Sequence, residues 1–346
     1  MFFASDNAGP AHPSVMQRVA AENTGYAMPY GADDTMNEVR TQIRHLFEAP
    51  EAAVYLVATG TAANALALAC YCDPWQTVFC SDLAHIQEDE CNAPEFYSGG
   101  AKLSLVAGGD KLTPDALRSR IAAEETRGVH GPERGAVSIT QVTERGRVYT
   151  LDELRALTAV AQDFKLPVHL DGARFANAVV ALGCTPAEMT WKAGVDVVSF
   201  GGTKNGCLGV EAVVLFDPKK AWEFELRRKR GAHLFSKHRY LSAQMAGYLT
   251  DDTWLTTARA ANANSARLAA GLRAHGAVFV ADPDANMIFA QFPRHVHQRL
   301  HDAGAAYYIW DGTLEGSDPQ EMLTARLVCE WSITAAQIDQ FLSYFE

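Results

Sequence analysis

The sequence predicts an α/β protein, with a mostly parallel sheet covered by helices on both faces and a smaller α+β domain after it. Three observations carry this. Between about residues 54 and 216, short apolar runs alternate with segments of helical periodicity, as they do when crossover helices bury strands on both faces. From about residue 250 this alternation gives way to one long helix and a few short strands. The 346 residues are too many for one small domain and sufficient for two. The expected division is residues 1–250 for the large domain and 251–346 for the small one.

In chain order, Val54 to Val57 reads as a short strand, Thr59-Gly60-Thr61 as a turn, and Ala62 to Cys72 as a helix rich in alanine and leucine, which are strong helix formers. Thr77 to Cys80 is a second strand. Thr113 caps a helix that begins on Pro114, where the fixed φ and missing N–H of proline suit the first position. Ala136 to Gln141 is strand-like. Thr150 and Glu153 have capping-box spacing, and the helix behind them aligns Leu154, Leu157, Ala161 and Phe164. Leu166 to Leu170 is a buried strand ending in Asp171, and Val195 to Phe200 is another, ending in Gly201-Gly202-Thr203-Lys204. Val210 to Phe216 follows as a hairpin-like return. A long helix over roughly 253–275 then precedes strands at Ala277 to Val280, Met287 to Ala290 and Arg326 to Val328, and a helix near 334–345 closes the chain.

Composition narrows the function. A net charge of −11 speaks against nucleic acid or an anionic membrane as the main partner. No apolar run reaches the ~18 residues that a bilayer span needs. Met1 to Asp6 lacks a basic stretch followed by an apolar core, so no signal peptide is expected and the cytoplasm is the expected compartment. Seven cysteines at irregular spacing form no CxxC and no paired set for zinc, so reduced, buried thiols and no metal are expected. Arg227-Arg228-Lys229-Arg230, with Lys237, His238 and Arg239 beyond, reads either as a solvated helix face or as a phosphate-binding patch.

Ligands of open α/β sheets sit beyond the carboxyl ends of the strands, where Thr59-Gly60-Thr61, Asp171-Gly172-Ala173-Arg174 and Thr203-Lys204-Asn205 fall. Gly60 and Thr61 open a helix, whose free N–H groups and dipole attract an anion such as phosphate. Asp171 ends an apolar strand, a costly place for a carboxylate unless something such as a protonated pyridine nitrogen pairs with it. Lys204 follows a buried strand, and burial favours the neutral amine that attacks a carbonyl. Each segment also has an ordinary reading: a capped strand–helix turn, an Asp capping a turn, an exposed loop lysine. Together they match pyridoxal phosphate (PLP), because Asp171 and Lys204 sit at the same ends of successive strands.

The chain resembles the low-specificity threonine aldolase and phenylserine aldolase group of the β-eliminating lyase family, which are fold-type-I PLP enzymes. The resemblance runs nearly end to end. It rests on Ser5-Asp6-Asn7, Tyr30-Gly31-Ala32-Asp33, Gly60-Thr61-Ala62-Ala63-Asn64, Ala84-His85-Ile86, His169-Leu170-Asp171-Gly172-Ala173-Arg174, Ser199 through Gly206, and Arg326-Leu327-Val328. It implies a seven-stranded sheet and an N-terminal segment reaching the active site. Lys204 would hold PLP covalently, Asp171 would pair with its ring nitrogen, and His85 would stack on the ring. Gly60, Thr61 and Ser199 would contact the phosphate side. Arg174, with Ser5 and Arg326, would hold a substrate carboxylate. Arg230 and Tyr30 would come from a neighbouring subunit, in homodimers that pair into tetramers.

The implied reaction is cleavage of a β-hydroxy-α-amino acid to glycine and an aldehyde. β-Elimination or transamination on the same scaffold is the alternative, and a PLP-fold binding or regulatory module is a more distant one. Many members of the group carry Glu-Asn-Thr-His where this chain has Gln141-Val142-Thr143-Glu144, so Glu144 stands in the place of the histidine. That departure weakens the expectation of threonine as preferred substrate and is compatible with bulkier ones such as phenylserine. The acceptor of the β-hydroxyl proton is left open among His85, Glu144 and a water held by either.

Overall fold

Seven short apolar runs pair into the first sheet. The computed structural model describes residues 1–346. The strands are β1 (Ala53–Val57), β2 (Gln76–Ser81), β3 (Lys102–Val106), β4 (Glu133–Thr140), β5 (Val168–Gly172), β6 (Val197–Gly201) and β7 (Glu211–Leu215). Their order is β1-β7-β6-β5-β4-β2-β3. β7 runs antiparallel to both neighbours, and every other pair is parallel. The mostly parallel, seven-stranded sheet expected from the sequence is therefore present, with β7 as the hairpin return from β6.

Successive side chains of a strand point to opposite faces. In β1, Val54 and Leu56 join the larger core, which also holds Phe47, Phe175 and Phe200, while Ala53, Tyr55 and Val57 join a second core under the helix Gly60–Ala69. Ala212 and Val214 of β7 split from Val213 and Leu215 in the same way. Two apolar cores on opposite faces explain why these strands read as continuous hydrophobic runs rather than alternating ones.

Beyond the helix Thr253–Ala274 lies a four-stranded antiparallel sheet of β8 (Val278–Phe279), β9 (Met287–Pro293), β10 (Tyr308–Asp311) and β11 (Met322–Val328), in the order β10-β11-β9-β8. Its core contains Ile288, Phe292, Leu327 and Phe341, and also Phe3 from the other end of the chain. The N–H of Phe3 donates to Ala306 O at 2.7 Å, and its carbonyl accepts the Val328 N–H at 2.8 Å. The first residues thus pack with the second sheet, whereas sequence alone groups them with the first. No helix is long and apolar enough to cross a membrane.

The structure adds elements that the sequence reading leaves out, among them the helices Pro13–Glu22, Asp34–Leu46, Phe175–Leu182, Arg239–Leu249 and Arg294–Asp302, and the strands β3 and β10. The second helix has a legible signal in its Asp33 cap and in the buried Met36, Val39 and Ile43. β5 starts two residues later than expected, because Pro167 has no N–H to give the ladder, and it extends to Gly172, so Asp171 lies inside the strand. Gly172 and Gly201 bring β5 and β6 together at this end. A Cβ on Gly172 would stand 2.6 Å from Ser199 O, and one on Gly201 would run into Ala173 O. Gly201→Ala is expected to lower stability by about 1–3 kcal/mol, as overpacking does, which urea denaturation would measure.

Candidate active site

β1 leads directly into the helix Gly60–Ala69, capped by Thr59, whose hydroxyl accepts the Ala62 N–H at 3.2 Å. That leaves the N–H groups of Gly60 and Thr61 without intrahelical acceptors at the positive end of the helix dipole. Both residues line a cavity of about 420 Å³. A Cβ at Gly60 would meet nothing within 4 Å, so the backbone there is open to a ligand.

Asp171 reaches the same cavity from β5. One of its carboxylate oxygens accepts the Ala173 N–H at 3.1 Å, and the other accepts from Asn64 Nδ2 at 2.9 Å. Each oxygen therefore keeps a free lone pair for a ring N–H. Asn64 Nδ2 also donates to Glu90 Oε1 at 2.9 Å, which in turn lies 2.8 Å from His85 Nδ1. Burial works against a charged His85 ring, but the Glu90 hydrogen bond and the Asp171 and Glu144 carboxylates outweigh it and raise its pKa. Burial raises the Glu90 carboxyl as well. Glu90 Oε2 and Asn64 Oδ1 are buried with no partner in the chain.

Lys204 sits on the 3₁₀ turn Thr203–Asn205 that follows β6. The turn is pinned on both sides: Asn205 Nδ2 donates to Tyr248 Oη at 2.7 Å and to Trp254 O at 2.8 Å, while Glu211 Oε2 accepts the Gly202 N–H at 2.7 Å. Burial, then the nearby Arg174 guanidinium, depresses the Lys204 amine and favours its neutral form. Burial pushes Glu211 up to about 7.

Arg174 is fully buried and forms a two-pronged pair with Asp6, Nε to Oδ2 at 2.7 Å and Nη2 to Oδ1 at 2.9 Å. Burial would raise Asp6, but the Arg174 and Lys204 charges and hydrogen bonds from Arg174 and Asn286 hold it below the usual carboxylate range. Arg326 enters from β11, where its Nη1 donates to Ala4 O at 3.2 Å, and it has no ion pair of its own. Burial and the Arg174 charge lower its pKa. Both guanidiniums feel the Asp6 and Glu144 carboxylates as well as each other, and neither is among the residues that line the cavity.

The structure brings Gly60, Thr61, His85, Asp171 and Lys204 together around one cavity, which Glu144 also lines. It does not bring every expected residue there. Ser199 lies buried on β6, with its hydroxyl 3.1 Å from His169 Nε2, and does not line the cavity. The same histidine meets Ser138 at 2.9 Å, and burial lowers its pKa to about 4. Thr203 lines the cavity instead. Ser5 accepts the Asn7 N–H at 3.1 Å, and Asn7 rather than Ser5 lines the cavity. Arg230 faces a separate groove with Phe96 and Tyr97, and Tyr30 is 46% exposed. The basic cluster is not a wholly solvated face, since Arg228 is buried over the Tyr55 ring and donates to Leu56 O at 3.1 Å. Among the cysteines, Cys91 is exposed and Cys184 half-buried; the other five are buried thiols.

Sequence reasoning misses Glu90 and Glu211. Glu211 carries a signal, a charge at the head of an apolar run, while Glu90 is hidden among the acidic residues Glu88 and Asp89.

The donor set fits PLP: open N–H groups for a phosphate, a carboxylate with free lone pairs for a ring nitrogen, and a lysine with a depressed pKa. With this strand order, those features define the fold-type-I class of PLP-dependent enzymes. A profile of the beta-eliminating lyases matches residues 3–294. A low-specificity L-threonine aldolase from Pseudomonas sp. (strain NCIMB 10558) is 40% identical over 97% of this chain and 94% of its own. The chain belongs to the beta-eliminating lyase family. Among solved structures, the Leishmania major threonine aldolase superposes with a TM-score of 0.92 at 24% identity, covering 99% of this chain and 98% of that one. SPT in its PLP-bound form has the same fold, with a TM-score of 0.68 at 18% identity over 100% of this chain and 86% of that one.

Proposed function

We propose that this cavity binds PLP on Lys204 and cleaves β-hydroxy-α-amino acids of the L-threonine, L-allo-threonine or L-phenylserine type to glycine and an aldehyde. The observation that carries the reading is the convergence of the Lys204 amine, the Asp171 carboxylate and an anion-ready helix end on one cavity. The 40% identity to a low-specificity L-threonine aldolase supports the choice of reaction. When bound, PLP supplies an electron sink for the pair released at Cα.

The residues of the chain do the rest. Gly60 and Thr61 would hold the phosphate, and Asp171 would pair with the ring nitrogen and favour its protonated form. His85, fixed by Glu90, would stack on the ring. Arg174 and Arg326 bind the substrate carboxylate through charge-assisted hydrogen bonds. That grip turns the Cα–Cβ bond into the orientation in which it breaks, and orientation selects among the reactions open to one cofactor. A base on the cavity wall takes the β-hydroxyl proton, and Cα then gains a proton to give glycine.

The active unit is a homodimer that pairs into a tetramer. Arg230 of the partner subunit reaches the phosphate, and the partner subunit's Tyr30 closes the substrate side. In support, Arg230 forms no ion pair within its own chain. Seven unpaired thiols support a cytoplasmic location.

Incubating the PLP-loaded protein with threonine, allo-threonine, phenylserine and a β-leaving-group amino acid tests the reaction. Aldehyde with equimolar glycine is the expected product, whereas ammonia with a keto acid would replace this reading with elimination. Asp171→Ala is expected to weaken PLP binding about tenfold to hundredfold, the scale of a hydrogen bond to a charged group, as followed by absorbance titration.

A further inference from the structure

The loop after β4 is built to present one side chain. Gln141 clamps Tyr149 twice, its Nε2 donating to Tyr149 O and its Oε1 accepting the Tyr149 N–H, both at 2.9 Å. The Thr143 N–H donates to Arg147 O at 2.9 Å, and the Gly146 N–H donates to Thr143 O at 3.0 Å. Thr143 Oγ1 donates to Asp110 at 2.7 Å and accepts the Arg147 N–H at 3.0 Å. Arg145 is held between two rings, 5.1 Å from the centre of Phe289 and 4.9 Å from that of Trp310. Gly146 allows the tight return, since a Cβ there would stand 2.7 Å from Met287 O.

Thr143 and Arg145 are thus fixed in place, and Glu144 lies between them. It is partly buried, it forms no hydrogen bond or ion pair in the chain, and it lines the cavity with Lys204, Asp171 and His85. The groups facing it are Arg174, Lys204 and His85, which favour its charge, and Asp171, which opposes it. Burial is the largest influence and raises its pKa. Its carboxylate is thus open to the cavity and uncommitted to any group of the chain, so both oxygens are free to accept a hydrogen bond from a ligand hydroxyl. His85 competes less well for this task, because Glu90 on its Nδ1 and the nearby Asp171 and Glu144 carboxylates favour the protonated ring, which cannot accept a further proton.

We infer that Glu144 is the catalytic base that accepts the proton of the substrate β-hydroxyl. The inference rests on the aldol-cleavage reading above. The hydroxyl proton passes to the Glu144 carboxylate, and the O–H pair becomes the second C–O bond of the aldehyde. The Cα–Cβ pair stays with the amino-acid fragment, which takes up a solvent proton at Cα to become glycine. Glu144 returns its proton to solvent as the aldehyde leaves.

The test compares the PLP-loaded wild type with Glu144→Gln and Glu144→Asp. For Glu144→Gln, kcat for aldehyde release should fall about 10²–10⁴-fold, the range for loss of an acid–base group. The acid limb of the wild-type pH–rate profile should vanish with it. Exchange of the glycine α-proton in deuterium oxide needs no β-hydroxyl and should change less than about twofold. The equilibrium Kd for glycine, read by absorbance without turnover, should hold as well. In carboxyl-labelled protein, a glutamate resonance titrating above the ordinary range should be missing from Glu144→Gln, and Glu144→Asp should recover part of the rate. Cleavage by Glu144→Gln within about threefold of wild type overturns the inference, as does a parallel loss of cleavage and glycine exchange. A wild type that exchanges glycine but releases no aldehyde from any substrate overturns the aldol reading itself.

Discussion

Lys204→Ala is expected to yield a protein without the visible absorbance of lysine-bound PLP, with cleavage reduced at least about 10³-fold, as befits loss of an activated amine. The reason lies in the placement of the amine. The turn that carries Lys204 is fixed by Asn205 and Glu211, and burial keeps its amine uncharged at lower pH than an ordinary lysine. No other lysine lines the cavity, so no substitute is at hand. Borohydride reduction of the PLP-loaded wild type, followed by peptide mapping, should place the cofactor on the peptide containing residue 204. A visible chromophore retained by Lys204→Ala and fixed at another lysine would contradict this assignment.

Asp6→Ala should be the most destabilising substitution near the site, at about 3–5 kcal/mol, because it strands a buried guanidinium without its counter-charge. Asp6 and Arg174 are both buried, and Asn286 Nδ2 loses one of its two acceptors, keeping only Cys329 O. Denaturant unfolding of the cofactor-free protein measures the effect, and a loss under about 1 kcal/mol would mean that water replaces the carboxylate. The pH dependence has a definite sign. Asp6 titrates below its unfolded value of roughly 4, so its contribution is complete above that pH. It declines as the pH falls through the depressed value of the folded state.

The part of this molecule that could be read from sequence is the part governed by local pattern. Strands buried on both faces appear as apolar runs, and Thr113, Thr150 and Pro114 mark helix starts by capping chemistry alone. The convergence of Asp171 and Lys204 was accessible because neighbouring parallel strands expose the same end. Partnerships across long sequence separations were not accessible. Nothing local says that Asp6 meets Arg174 across 168 positions, or that Ser199 turns its hydroxyl to His169. Arg228 shows the limit most clearly: its sequence neighbours suggest a wet surface, yet it is buried against Tyr55.

The anchoring of the first residues also sets a mechanical limit. Phe3 is bonded into the second sheet through Ala306 and Val328, while Asp6, three residues on, grips Arg174 of the first. Three residues of fully extended chain reach only about 10 Å, and part of that reach is already used. This short tether couples the two sheets: a larger excursion of the second would have to unfasten Asp6 from Arg174 first.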